Sequence, residues 1–211
     1  MLDLFQALRA YLGAANLGKL HYKAVPHIYH QVPAEEDLYA LVRNGAQLVR
    51  RDVSSTIDLR DRPAYAKGRK WSVGRALRRG FEVAEGRGFR DFMALEEAHL
   101  LSKFGVQPTH TGDEMELLAA RFPNNIRLFT ATQGDGILAG VVIYENRMVA
   151  HAQYIGSNEV GRELGALDAI LDHLLNHHYP RSHPYFDFGI STEQGGAYLN
   201  AGLIENKESY G

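Results

Sequence analysis

Between Ile126 and Ile155 the chain reads as three apolar, β-branched runs separated by Gly134-Asp135-Gly136 and by Glu145-Asn146. Connections this short can join only antiparallel neighbours, so the pattern predicts a meander with strands at 126–132, 137–144 and 148–155. Directly afterwards Leu164, Leu167, Ile170, Leu171, Leu174 and Leu175 recur at helical spacing, which predicts a helix over 161–177. Tyr185-Phe-Asp-Phe188 then returns to the strand pattern. A meander, a long helix and one more strand each have an apolar face to bury. The expected fold is therefore α/β (α+β), a mixed and largely antiparallel sheet flanked by helices.

The remaining segments supply those flanks. Leu2, Phe5, Leu8 and Leu12 predict an opening helix, Leu20–Val25 a strand, and Pro33 with the acidic run to Asp37 a helix running to about Arg43. Residues 46–57 are rich in β-branched side chains and predict another strand. A helix is expected over 64–79, with Trp71 and Leu77 as its core contacts and Gly80 at its end. A short strand at 81–84 and a helix at 90–104 follow. Thr111-Gly-Asp-Glu114 has the capping-box pattern that starts a helix, and Pro123 ends it.

At 211 residues and 45% hydrophobic content, the chain can build one sizeable core, or one domain and part of another. With no cysteine there is neither a disulfide framework nor a thiolate metal site, which suits a reducing cytoplasm. The first twelve residues lack the basic start and cleavage site of a signal peptide. No apolar run approaches the roughly 20 residues of a membrane span. A soluble, cytoplasmic protein is expected. The histidines at 173, 177, 178 and 183 gather near one helix end, where cationic side chains suit the helix C-terminus and no cysteine is present, so no metal site is expected there.

The net charge of -2 conceals a basic window. Arg60, Arg62, Lys67, Arg69, Lys70, Arg75, Arg78, Arg79, Arg87 and Arg90 are ten of the 23 Lys and Arg, against Asp61, Glu82 and Glu85 in the same stretch. Such a cluster either attracts phosphates of a nucleotide, a coenzyme or RNA, or is a solvated helix face.

The motifs resemble the FemAB-like branch of the GNAT acyltransferase superfamily, in particular the FemAB-related proteins of bacterial envelope-polysaccharide gene clusters. The matching residues are Tyr22-Lys-Ala-Val-Pro-His-Ile-Tyr29, Val53-Ser-Ser-Thr-Ile57, Arg69-Lys70, Pro108-Thr-His-Thr111, His151-Ala-Gln-Tyr-Ile155, Phe186-Asp-Phe-Gly-Ile-Ser191 and Lys207-Glu-Ser-Tyr-Gly211. The resemblance implies a GNAT-like acyltransferase domain at 61–211, preceded by a remnant of a second GNAT-like half at 1–60. The longer front part of the family is expected to be missing. It also implies an acyl group moved to a primary amine of an envelope glycan or its precursor, or to a small amine. The donor is acyl-CoA or aminoacyl-tRNA, with no tightly bound cofactor. Pairing with a second copy would cover the opening helix. The rival reading is a non-catalytic module that binds RNA or another anionic polymer through its basic helix.

Acyl transfer needs a proton route, an oxyanion contact and a scaffold for both substrates. Asp187, a carboxylate in an apolar strand, either handles the amine proton or caps the turn at 191–193. Gln153 and Tyr154 sit in the third meander strand, where alternation turns only one of them into a site, and Tyr154 can protonate a leaving group. A free imidazole titrates near ~6.5, which makes histidine a suitable base, and His110 and His151 are the candidates. Ser191 and Asn200 are candidate substrate contacts. The resemblance places Lys207 at the lysine of the family's C-terminal Phe-Lys motif, with Asn206 in place of the phenylalanine. It also places Arg162 and Gly165 at the coenzyme pyrophosphate loop, where Leu167 replaces the last small residue. Arg69 and Lys70 are further candidate contacts for donor phosphate.

Overall fold

Val141, Val142 and Ile143 alternate between two different hydrophobic clusters, so the middle of the meander is buried on both faces. In a computed structural model, which describes residues 1–134 and 136–211, this strand lies inside a six-stranded sheet. The strands are β1 (Ser54–Asp58), β2 (Glu82–Gly86), β3 (Ile126–Gln133), β4 (Gly136–Glu145), β5 (Val149–Ser157) and β6 (Tyr185–Ile190). Their order is β1-β6-β5-β4-β3-β2, antiparallel throughout except for β5 beside β6. A short ribbon of β7 (Thr192–Glu193) and β8 (Tyr198–Leu199) follows β6. The mixed, largely antiparallel sheet is therefore as the sequence predicts. The turn expected at Gly134-Asp135-Gly136 includes Asp135, which lies outside the described residues.

The helices are α1 (Leu2–Ala14), α2 (Glu36–Arg43), α3 (Lys67–Leu77), α4 (Phe89–Phe104), α5 (Gly112–Arg121), α6 (Glu159–Leu164), α7 (Ala166–His173) and α8 (Ala201–Glu208). One face of the sheet packs Phe129, Val141, Ile143, Ala150, Ala152 and Phe186 against Ile170, Leu171 and Leu174. The other packs Leu128, Val142 and Tyr154 against Phe89, Phe92, Met93 and Met115 of α4 and α5. Each such aliphatic or aromatic side chain contributes roughly 1.5–3 kcal/mol by leaving water, so these two layers dominate the stability. Thr111 caps α5 by accepting from the Glu114 N–H at 3.2 Å, and the Glu114 carboxylate accepts from the Thr111 N–H at 2.8 Å. This is the reciprocal cap that the sequence predicts.

The chain divides at residue 51 into units Met1–Arg51 and Asp52–Gly211. In the first unit, Phe5 and Ile28 are buried among α1, α2 and irregular segments. The strand expected at Leu20–Val25 does not form, because an isolated strand leaves its N–H and C=O row without partners. Of the strand expected over 46–57 only the end becomes β1, where β6 supplies a partner from Ser54↔Ile190 to Asp58↔Tyr185; Leu48 and Val49 are exposed. β1 thus belongs to the sheet of the second unit, although it precedes residue 60.

Two helix expectations need correction. Trp71 and Leu77 are 63% and 53% exposed, and α3 instead buries Val73 and Ala76. The inward face is the one that lets Ala76 meet Gly165 closely, while Trp71 turns outward under the guanidinium of Arg75. The long helix expected over 161–177 breaks at Gly165, whose φ of +80° is a left-handed conformation suited to glycine. It resumes as α7 and closes in a wider turn at Leu174–His178.

Candidate active site

Strand β5 carries one residue more than its partner. Val142 pairs with Tyr154 but Ile143 pairs with Ala152, so Gln153 bulges with no residue opposite it on β4. The extra residue resets the alternation. Ala150 and Ala152 face the α7 layer, yet Tyr154 faces the α4–α5 layer, the side on which His151 also lies. The bulge thus places two candidate side chains, which strict alternation would separate, on one face. Beside it, β5 and β6 pair only from Val149↔Tyr185 to His151↔Asp187 and then part.

Where the strands part, His151 Nδ1 lies 2.9 Å from Asp187 Oδ2. Asp187 is 3% exposed, and its Oδ1 accepts from Thr56 Oγ1 at 3.2 Å and from the Gly189 N–H at 2.9 Å. These donors meet the requirement that a buried carboxylate be paired. A nitrogen beside a carboxylate carries its proton, so in the neutral ring Nε2 of His151 holds the lone pair. Gly189 has φ +72°, and a Cβ there would press on the His151 ring at 3.3 Å. Lys207, brought back by α8, is buried and donates to the Gly189 and Ile190 carbonyls at 2.9 and 2.7 Å. Burial lowers its pKa, and the Asp187 charge opposes that shift. Ser191 pins the same bend through backbone bonds, its N–H to the Val53 carbonyl at 2.7 Å and its carbonyl from the Asn200 N–H at 3.0 Å. Its buried hydroxyl has no partner among the described residues.

Across the bulge, the Tyr154 hydroxyl accepts from the His110 N–H at 3.2 Å and lies 2.7 Å from His110 Nδ1. With the His110 proton on Nε2, the phenol donates its own to Nδ1. Burial pushes the Tyr154 pKa up, against the pull of bonds from His110, Thr109 and Gln153. The phenol therefore stays protonated at neutral pH.

A third group was not foreseen from the sequence. Gly140 and Gly156 pair across β4 and β5, and their missing side chains leave a trough under α4. The Phe92 ring fills the space over Gly140, and the Glu96 carboxylate fills the space over Gly156. Glu96 is 6% exposed and its Oε2 has no partner among the described residues. Burial raises its pKa from 4.5 to about 7. The spacing Phe89, Phe92, Met93, Glu96 already put this acid on the apolar stripe of its helix. Beyond it, a cavity of about 680 Å³ lies between α4 and the start of α6, lined by Leu95, His99, Ile137, Ser157, Asn158 and Arg162 among others.

The other candidates stand elsewhere or are already engaged. Arg69 bridges to Asp168 at 2.5 Å, donates to Ser209 at 2.8 Å and covers the Tyr210 ring, which ties α3 to α7 and the segment after α8. Lys70 is exposed on α3. Arg162 is exposed at the cavity rim beside His99, and Gly165 is the left-handed joint between α6 and α7. Asn200 caps α8 through Leu203 N–H at 2.9 Å and donates to Glu193 at 2.7 Å.

Residues 64–198 match the family described as acetyltransferase (GNAT) domain. The chain belongs to that family. The GNAT match takes in β2 to β8, with Glu96, His110, His151, Tyr154 and Asp187, and stops before Asn200 and Lys207. Among solved structures the fold is similar to FemX, with TM-score 0.65 and 11% identity over 83% of this chain and 65% of that one. It is also similar to L-PGS from Bacillus licheniformis, at TM-score 0.61 and 16% identity over 83% and 61% of the two chains. A conserved protein of unknown function from Bacteroides thetaiotaomicron gives 0.56 and 16% over 76% and 56%. This chain thus spans less than two thirds of those structures. No curated protein matches it by sequence. The GNAT part of the resemblance drawn from the motifs agrees with the family match, and the fold is similar to that of FemX. No helix among the described residues is long and apolar enough to cross a membrane.

Proposed function

We propose that this GNAT domain transfers an acyl group to a primary amine, with His151 and Tyr154 handling the two protons on either side of the Gln153 bulge. The observation that carries the reading is the His151–Asp187 contact of 2.9 Å where β5 and β6 part, on the sheet face that Tyr154 shares. Asp187 fixes the tautomer and orientation of His151, whose free Nε2 takes a proton from the attacking amine. The amine nitrogen forms the new bond to the acyl carbon, and the bond from that carbon to the donor's oxygen or sulfur breaks. Tyr154 swings its proton from His110 to the departing atom and regains one from solvent, while the His110 N–H holds its oxygen in place. The bulged backbone at Gln153, between the two side chains, is the candidate contact for the oxyanion. Lys207 acts one step back, bracing the Gly189–Ile190 bend beneath Asp187.

The donor is an acyl-CoA or an aminoacyl-tRNA, and the acceptor an amine of an envelope glycan or its precursor. Support for a polyanionic donor comes from α3, where Lys67, Lys70 and Trp71 are exposed and Arg75 stacks on the indole at 5.0 Å. The Gly165 joint, packed on Ala76, gives no support to a pyrophosphate grip at that glycine. Cytoplasmic placement follows from either donor, and the exposed Leu4 and Tyr11 of α1 favour pairing with a second copy. The test incubates the full chain with acetyl-CoA and, separately, with charged tRNA, each with amino-sugar acceptors. Transfer from one donor is expected; transfer from neither overturns the reading. The same α3 surface favours the second reading, polyanion binding without catalysis, which predicts RNA binding that weakens steeply with salt and no transfer.

A further inference from the structure

We propose that Glu96 anchors a primary ammonium group of the substrate. The carboxyl is more than nine-tenths buried, yet Oε2 has no donor among the described residues. A buried carboxylate needs a cation or several donors, and those nearby are committed. Tyr154, on the same strand face, bonds with His110, and Arg162 reaches His99 at 3.3 Å. The local backbone is built around this acid, since any side chain at residue 156 would occupy its position. Glu96 packs on Gly156 and does not itself line the cavity, but its chain neighbour Leu95 does, as does Ser157 next to Gly156. The last torsion of a glutamate is broad and two-fold, so the carboxyl can rotate to meet a cation that enters between α4 and β5.

The ligand class follows from charge and from the reaction. A compact cation completes a buried carboxylate, and acyl transfer offers primary ammonium groups from two sources: the α-amine of an aminoacyl donor, or an amine of the acceptor. The role in transfer rests on the acyl-transfer reading, whereas the binding does not. The titratable groups around the carboxyl are Tyr154 on β5, held by His110, and beyond it His99 on α4 and Arg162 on α6. Burial leaves Glu96 part-protonated near neutrality, so an arriving ammonium displaces a proton.

Calorimetric titration of the full chain at pH 7 with glycinamide and with glucosamine, using acetamide and N-acetylglucosamine as amine-free controls, tests the site. At least one amine should bind, the controls should not, and E96Q should weaken the amine about 10- to 100-fold. Loss confined to glycinamide assigns the ammonium to an aminoacyl donor, and loss confined to glucosamine assigns it to the acceptor. Binding of neither amine, or amine binding unchanged by E96Q, overturns the proposal. Should E96Q not fold, the wild-type protein still decides. Titrations in buffers of different ionisation heat should count a fraction of a proton released at pH 7, and no release overturns the site. A chain that binds the ammonium but transfers nothing loses the reading and keeps the site. A chain that transfers acyl groups while E96Q binds amines normally keeps the reading and loses the site.

Discussion

Two buried carboxylates lie on the α4–α5 side of the same sheet, and their surroundings are opposites. Asp187 is held by Thr56, the Gly189 N–H and His151, whereas Glu96 has an enclosed oxygen with no donor among the described residues. The first arrangement is complete without substrate and serves to orient another residue. The second is incomplete and stores a cost that a ligand can relieve. On the proposed reading, full satisfaction marks the residue that positions His151, and a deficit marks the residue that recognises substrate.

The sharpest way to break the contrast is Asp187→Asn, which keeps the shape but no longer holds His151 in the tautomer that leaves Nε2 free. The transfer rate should fall about 10³-fold with little change in donor KM, within the range of general acid–base effects. A small change in rate would place proton handling elsewhere.

Glu96→Gln should act with the other sign, on stability. The folded pKa is about 7 against 4.5 for the free side chain, so between those values the folded state keeps a proton that the unfolded state has lost. Stability therefore falls as pH rises through that window. The variant should be more stable than wild type by about 3 kcal/mol at pH 8, converging with it toward pH 4.5. Denaturant melts at both pH values measure this, and equal midpoints at pH 8 would show that the carboxylate is satisfied after all.

Smaller effects refine the orienting end. Lys207→Met leaves the Gly189 and Ile190 carbonyls without their donor, which should lower stability by about 2 kcal/mol in chemical melts. His110→Ala removes one partner of Tyr154 while its own backbone N–H remains. The rate should drop only about 10-fold, with a changed pH profile, as expected for a residue acting through another.

The meander, the α5 cap and the Asp187 strand were legible because each rests on local signals: short turns, a reciprocal cap, a lone acid among aromatics. His151 and Tyr154 were legible as candidates but not as neighbours. Period-two alternation puts residues 151 and 154 on opposite faces, and only the pairing with β4 reveals the extra residue at Gln153. Arg69 and Asn200 looked like binding groups because free polar side chains and committed ones read alike in a sequence. Their partners, Asp168 and Glu193, are set by tertiary packing. Glu96 hid in plain helical spacing. Its signal lay elsewhere, in two glycines inside strands, which mark places where something approaches the backbone closely.

The three-pair seam between β5 and β6 has a mechanical meaning as well. It welds two stiff plates, β1–β6 and β5 to β2, at a single short joint, and the last pair of that joint is His151 with Asp187. Anything wedged between the plates beyond the joint levers directly on those two residues. With His151 as the proposed proton acceptor, occupancy between the plates and its alignment become one coordinate, and a substrate too thin to spread the plates would bind without setting His151 in line.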